Sequence, residues 1–210
     1  MELIEASCSG ATSDNIAKSA QFPNPLQITA VTSDTKLVTI TVGGNDVNYA
    51  SSLIACGQSG QNGASCLASG QVNGDAVKAL VTQLESKLVA MLKAVQQAAP
   101  SARVYLVAYP MVLPEPAVPC PPDVPMQASD AAFLGQVGSD LQAAFAAAAK
   151  AAGVNFVDVY GPSRGHDACS PQAQRWVVGQ ATSGAQAYHP TALGMRAQAD
   201  LIIAEIQRTF

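Results

Sequence analysis

The chain has 210 residues, 49% of them hydrophobic and 12% charged, with a formal net charge of -4. That length and apolar content suffice for the core of one globular domain, or at most two small ones, and exclude a disordered chain, which would be poorer in apolar residues and more highly charged. Eleven Lys and Arg against fifteen Asp and Glu, with no basic block, leave nothing to neutralise a phosphate backbone, and no apolar run reaches the roughly 18 residues of a membrane-spanning helix.

In chain order, Leu3 to Ser7 is a short mixed run ending in Cys8-Ser9-Gly10, which predicts a strand that turns at Gly10. Leu37 to Val42 is rich in β-branched residues and stops at Gly43-Gly44; Arg103 to Val107 and Val154 to Val159 repeat the pattern, so three further strands are predicted. Val77, Leu80, Val81, Leu84, Leu88, Met91, Leu92 and Val95 keep the spacing of one helical face, with Asp75 as the predicted N-cap and Pro100 as the stop. Phe133, Leu134, Val137, Leu141 and Phe145 mark a second helix ending at Gly153, and Leu193, Leu201, Ile202 and Ile206 a third beginning at Pro190. Strands alternating with long helices predict parallel βαβ units in one α/β domain spanning 1–210, with ligands beyond the carboxyl ends of the strands. The segments to inspect are therefore Gly10, Gly43 to Asp46, the Pro-rich loop Tyr109 to Pro125, and the loop Tyr160 to His189.

Five cysteines, Cys8, Cys56, Cys66, Cys120 and Cys169, form no CxxC pair, and with two histidines in the chain they favour disulfides over a zinc site. An odd count leaves one thiol over. The abundance of Ala, Gly, Ser and Gln fits a secreted protein, yet Met1-Glu2-Leu3-Ile4-Glu5 has neither the basic nor the apolar region of a signal peptide.

Two groups carry candidate chemistry. Gly43-Gly44-Asn45-Asp46 follows a buried strand directly, so it is either an ordinary turn or a turn that aims the Asn45 amide at a developing oxyanion. His189 precedes Pro190 at the start of a helix, where the ring is either a general base on the loop face or an exposed capping residue. His166, beside Asp167, imitates a dyad, but neighbours in sequence rarely place both side chains in register, and it is read as structural.

Taken together, Ser7-Cys8-Ser9-Gly10-Ala11-Thr12, Val38 to Val47, Gly165-His166-Asp167-Ala168-Cys169 and Tyr188-His189-Pro190-Thr191-Ala192-Leu193-Gly194 resemble the SGNH hydrolases, or GDSL-type lipases and esterases, of the secreted actinobacterial type. The resemblance implies a flavodoxin-like three-layer α/β/α fold with a parallel sheet in the order 2-1-3-4-5. It implies a serine ester hydrolase acting on small-molecule or lipid esters through an acyl-enzyme, secreted and without cofactor or metal. Gly10 would supply a backbone N–H and Asn45 a side-chain amide to the oxyanion hole, with His189 as base. An Asp three residues before that histidine is common in the family; here Gln186 stands there, and its main-chain carbonyl would orient the imidazole instead.

The family's first block, a Gly-Asp-Ser ending the first strand, has no counterpart: Gly74-Asp75-Ala76 lacks the serine, no Gly-x-Ser-x-Gly elbow occurs, and Ser9 beside Gly10 is not read as the nucleophile. The resemblance also implies pairs Cys56 with Cys66 and Cys120 with Cys169, leaving Cys8 as survivor of a third. The expectation is an N-terminally truncated domain without the first, central strand, and Leu3 to Ser7 would then face a slot. The competing expectation is a non-catalytic relative that binds a lipid or glycan in the vacant cleft.

Overall fold

A computed structural model describes residues 2–181 and 186–209. Three strands, β1 (Leu37–Ile40), β2 (Arg103–Val107) and β3 (Asn155–Val157), form a parallel sheet in the order β1-β2-β3. Leu37 aligns with Arg103 and Tyr105 with Asn155. All three lie inside the predicted runs and end earlier than two of them, because beyond Ile40 and Val157 the chain leaves the ladder for the loops that build the site.

The sheet is covered on both faces. The alternation of a strand sends Val104 and Leu106 to one side, where they join Leu84, Leu88, Leu134 and Phe145 of two long helices; Tyr105 and Val107 point to the other, against Leu201, Ile202 and Ile206. The helices on the first face are α3 (Gly74–Ala98) and α4 (Ala128–Ala152), and the helix on the second is α5 (Ala192–Thr209). The fold is thus α/β in three layers, as expected. The Tyr105 hydroxyl shares a hydrogen bond of 2.6 Å with Thr209 Oγ1 and the Arg103 guanidinium donates to the Thr209 carbonyl at 2.8 Å, which fastens the end of α5 to β2.

Three expectations are corrected, and two α-helices are added to those expected. Leu3 to Ser7 is not a strand: it lies outside the sheet, with Leu3 90% and Ile4 61% exposed, because a run of this length holds strand geometry only against a ladder partner. The N-cap of α3 is Asn73, whose side chain accepts the Ala76 N–H at 3.0 Å; Asp75 lies in the first turn, where its charge suits the helix dipole. Helix α5 starts after Thr191, whose hydroxyl accepts the Gly194 N–H at 2.9 Å, while Pro190 pairs with Val177 in an isolated bridge. Two further helices precede α3, α1 (Ser13–Ala17) and α2 (Tyr49–Gln61). Interior glycines hide α2 from propensity, and tertiary packing explains one of them: a Cβ on Gly60 would stand 2.1 Å from the Pro125 carbonyl oxygen.

The two expected disulfides are present, Cys56–Cys66 between α2 and the segment before α3, and Cys120–Cys169 between the loops that follow β2 and β3. Cys8 is the free thiol. Asp130 approaches the first bridge, but its carboxylate accepts the Cys66 N–H at 3.0 Å and the Ser65 hydroxyl at 2.7 Å and caps that segment.

Candidate active site

After β1 the chain turns at Gly43, whose φ of +133° suits glycine and whose Cβ, if present, would sit 3.1 Å from the Phe145 ring. The turn lies on the core itself. Gly44 N–H donates to the Tyr109 hydroxyl at 3.4 Å, and burial pushes the Tyr109 phenol up to about 12, so it stays neutral.

The two residues that follow reach across to the loop of Gly10. Asn45 Nδ2 donates to the Ala11 carbonyl at 3.0 Å; the buried Asp46 carboxylate accepts both the Ser13 N–H at 2.9 Å and the Ser13 hydroxyl at 2.5 Å. Gly10 has φ +77° in a turn closed by the Ala11 N–H on the Cys8 carbonyl at 3.2 Å, and its own N–H donates to no described residue. Two loops separated by more than thirty positions in the chain are therefore held together by three hydrogen bonds, two of them to a carboxylate. An amide carries two N–H donors, so with one committed to Ala11 the Asn45 side chain keeps one for a ligand.

His189 lies at the other end of the chain. Tyr188 before it has φ +59°, an uncommon conformation for a bulky residue, and is buried. The imidazole Nδ1 lies 2.9 Å from the Ala187 carbonyl oxygen, while the Gln186 carbonyl accepts the His189 N–H at 3.2 Å. The expected orienting carbonyl at Gln186 is thus replaced by that of Ala187: the left-handed Tyr188 folds the chain back so that the carbonyl two residues before the ring faces it. A proton on Nδ1 donated to Ala187 leaves Nε2 as the basic nitrogen. Of the loop Tyr160 to His189, residues 182–185 lie outside the described residues.

His166 is engaged elsewhere. Its Nδ1 lies 2.6 Å from the Gln174 carbonyl oxygen and its ring stacks on Trp176 at 4.7 Å, while Asp167 accepts the Cys169 N–H at 2.9 Å. His166 and Asp167 face different partners and form no dyad.

A profile of the GDSL-like lipase/acylhydrolase family matches residues 1–197. The chain belongs to this family. It is 33% identical over 210 residues to Lipase 2 of Streptomyces coelicolor, covering 94% of this chain and 69% of that one. A lipase of Streptomyces rimosus is 32% identical, with 89% and 63% covered, so this chain spans about two thirds of the length of the curated relatives it matches. Among solved structures, the extracellular lipase of S. rimosus superposes with a TM-score of 0.75 at 28% identity, and phospholipase A1 of Streptomyces albidoflavus NA297 with 0.74 at 25%. Each covers 94% of this chain and 78% of its neighbour.

Within this GDSL-family chain, sequence reading undervalued Asp46, which stood inside the quoted motif as a turn former, and missed Tyr49 and Tyr109, whose roles come from packing. It also missed Arg175, which grips Asp123 with both nitrogens at 2.8 and 3.0 Å beside the Cys120–Cys169 bridge. Asp46→Ala should cost about 3 kcal/mol in urea unfolding, because it strands two Ser13 donors that a buried carboxylate now satisfies. Asp46→Asn keeps the size and one acceptor and should lose less. An unchanged midpoint in Asp46→Ala would refute this role.

Proposed function

We propose that this chain, acting as one domain, carries the oxyanion hole and the general base of an extracellular serine ester hydrolase, and that none of its own serines is the nucleophile. The Asn45–Ala11 hydrogen bond carries the reading, since it ties the Asn45 amide to the residue that follows Gly10, whose N–H donates to no described residue. A serine hydroxyl attacks the ester carbonyl carbon and passes its proton to His189 Nε2; the carbonyl oxygen, now negative, takes both N–H groups; the alcohol leaves with the proton from His189, and water repeats the steps on the acyl-enzyme. The absence of a Gly-Asp-Ser or Gly-x-Ser-x-Gly sequence supports a nucleophile supplied from outside these residues, on a strand placed beside β1. The disulfides and the relatives' names support an extracellular ester hydrolase.

Labelling with a fluorophosphonate tests it. The 210-residue chain should remain unlabelled and hydrolyse p-nitrophenyl butyrate barely above buffer. The same chain preceded by a strand ending in Gly-Asp-Ser should label at that serine, and Asn45→Ala should then lower its kcat about 100- to 1,000-fold. A stoichiometric label on Ser9 or another native serine would overturn the reading. Lipid or glycan binding with no activity in the extended chain would favour the non-catalytic alternative.

A further inference from the structure

His189 lies in a short antiparallel contact between two segments. The Val178 N–H donates to the His189 carbonyl at 3.0 Å, the Thr191 N–H donates to the Trp176 carbonyl at 2.8 Å, and Val177 pairs with Pro190 between them. The Thr191 hydroxyl adds a bond of 2.9 Å to the Arg175 carbonyl, and the first turn of α5 lies so close to the Trp176 carbonyl that Gly194 has no room for a Cβ. Residues 175–178 are therefore the rail along which His189 is set. Two paired segments of this length are marginal by themselves in water, so the rail needs support from elsewhere.

Asp123 holds that rail at both ends. It lies in the tight turn next to the Cys120–Cys169 bridge, where its N–H donates to the Cys120 carbonyl at 3.0 Å. Its carboxylate accepts from Arg175 Nη1 at 2.8 Å and Nη2 at 3.0 Å, and its carbonyl accepts the Gln180 N–H at 2.6 Å. Between those two anchors Gly179 packs directly on Asp123: a Cβ there would stand 2.5 Å from the Asp123 carbonyl oxygen. The Arg175 and Asp123 side chains are only 14% and 22% exposed, and a guanidinium bonded through two nitrogens is fixed in direction as well as in distance. Asp123 also acts on the residue before the histidine. After burial, its charge is what raises the Tyr188 pKa, and the Tyr188 hydroxyl lies 2.9 Å from where a Cβ on Gly57 of α2 would be.

We propose that Asp123 and Arg175 are positioning residues for His189: their ion pair fixes residues 175–178 and, through them, the direction in which the imidazole presents Nε2. They act through the main chain and are not catalytic residues. The proposal rests on the reading of His189 as the base and adds the device that aims it. The ring is held by the contact of Nδ1 with the Ala187 carbonyl, which keeps one tautomer only while the main chain on both sides stays in place. His166 is the internal contrast. Its Nδ1 contacts the Gln174 carbonyl in a turn closed locally, with the Gln174 and Arg175 N–H groups on the Pro171 carbonyl at 2.8 and 3.0 Å, so it does not depend on Asp123.

Nitrogen NMR of the two histidine rings in the isotopically labelled 210-residue chain tests this without any catalytic step. In the parent chain, neutral His189 should carry its proton on Nδ1. Asp123→Ala should move His189 to a mixture of tautomers and leave the His166 ring shifts in place. Arg175→Lys, which keeps the charge but not the paired bonds, should do the same to a smaller degree and is the second variant should the first fail to fold. Glu115→Ala, which breaks the exposed pair with Arg164 at 2.5 Å, should change neither ring. In the chain extended by a strand ending in Gly-Asp-Ser, Asp123→Ala should lower kcat about 10- to 100-fold and change KM by less than about twofold. His189 shifts unchanged in both variants, equal disturbance of the two histidines, or a loss confined to KM would overturn the proposal. A tautomer shift at His189 alone, with the extended chain inactive throughout, would support the positioning role and count against the hydrolase reading; unchanged His189 shifts in an extended chain that labels with fluorophosphonate would do the reverse.

Discussion

Replacing Phe145 by alanine should destabilise the protein by about 3 to 5 kcal/mol, the usual cost of removing a buried aromatic ring. The ring is 1% exposed, meets Tyr109 edge-on with centroids 5.7 Å apart, and fills the space that the missing Cβ of Gly43 leaves open. Its loss therefore removes the floor under the Gly43 to Asp46 turn as well as a piece of core. Phe145→Leu, which keeps most of the volume, should cost much less. Chemical denaturation gives the first number, and hydrogen exchange of the Gly44 amide gives the second: exchange faster in Phe145→Ala by more than the global destabilisation would show that the turn itself has loosened. A loss below about 1 kcal/mol would mean that the ring is not buried as described.

The second large effect belongs to the Cys120–Cys169 bridge. It closes a loop with a sequence separation of 49, against 10 for Cys56–Cys66, and chain-entropy reasoning assigns about 4 kcal/mol to the first and about 3 to the second. A Cys120→Ala, Cys169→Ala double variant should lower the unfolding free energy by that larger amount in urea, and the Cys56→Ala, Cys66→Ala pair by the smaller. The long bridge joins the loops that follow β2 and β3, which are also tied by the Met111 N–H donating to Ser163 Oγ at 2.7 Å, so its removal should speed hydrogen exchange of the Met111 amide, whereas a bridge of purely local effect would leave that exchange unchanged. Arg175 and Asp123 beside it are mostly buried and doubly bonded, which gives the loop a second tie and keeps it from unravelling entirely.

Much of the scaffold was legible in the residues. The β-branched runs at 37, 103 and 154 became β1, β2 and β3 because a strand covered on both faces must be apolar on both, and that pattern needs no knowledge of its neighbours. The stripe from Val77 to Val95 became the inner face of α3 for a similar reason, and Gly153 closed α4 in a left-handed cap, φ +70°. Leu3 to Ser7 failed because strand formation is decided by a partner, which a run of residues does not contain. Helix α2 escaped notice because Gly57 and Gly60 argue against a helix locally, while the residues that need those glycines, Gln180 and Tyr188 for one and Pro125 for the other, lie far along the chain.

The site divides in the same way. By itself the sequence determined which side chains were available: an amide after the first described strand, a glycine after the free cysteine, one histidine placed before a helix, and no serine in a recognisable nucleophile motif. It determined the family as well, since ordered motifs survive in composition and spacing. Only the tertiary structure decided how those groups are held. The pairing of Asn45 with Ala11 and of Asp46 with Ser13, and the choice of the Ala187 carbonyl over that of Gln186, all depend on hydrogen bonds and burial. Hydrogen bonds act over about 3 Å and between loops whose approach is set by the packing of the whole core, so their partners cannot be read from local pattern.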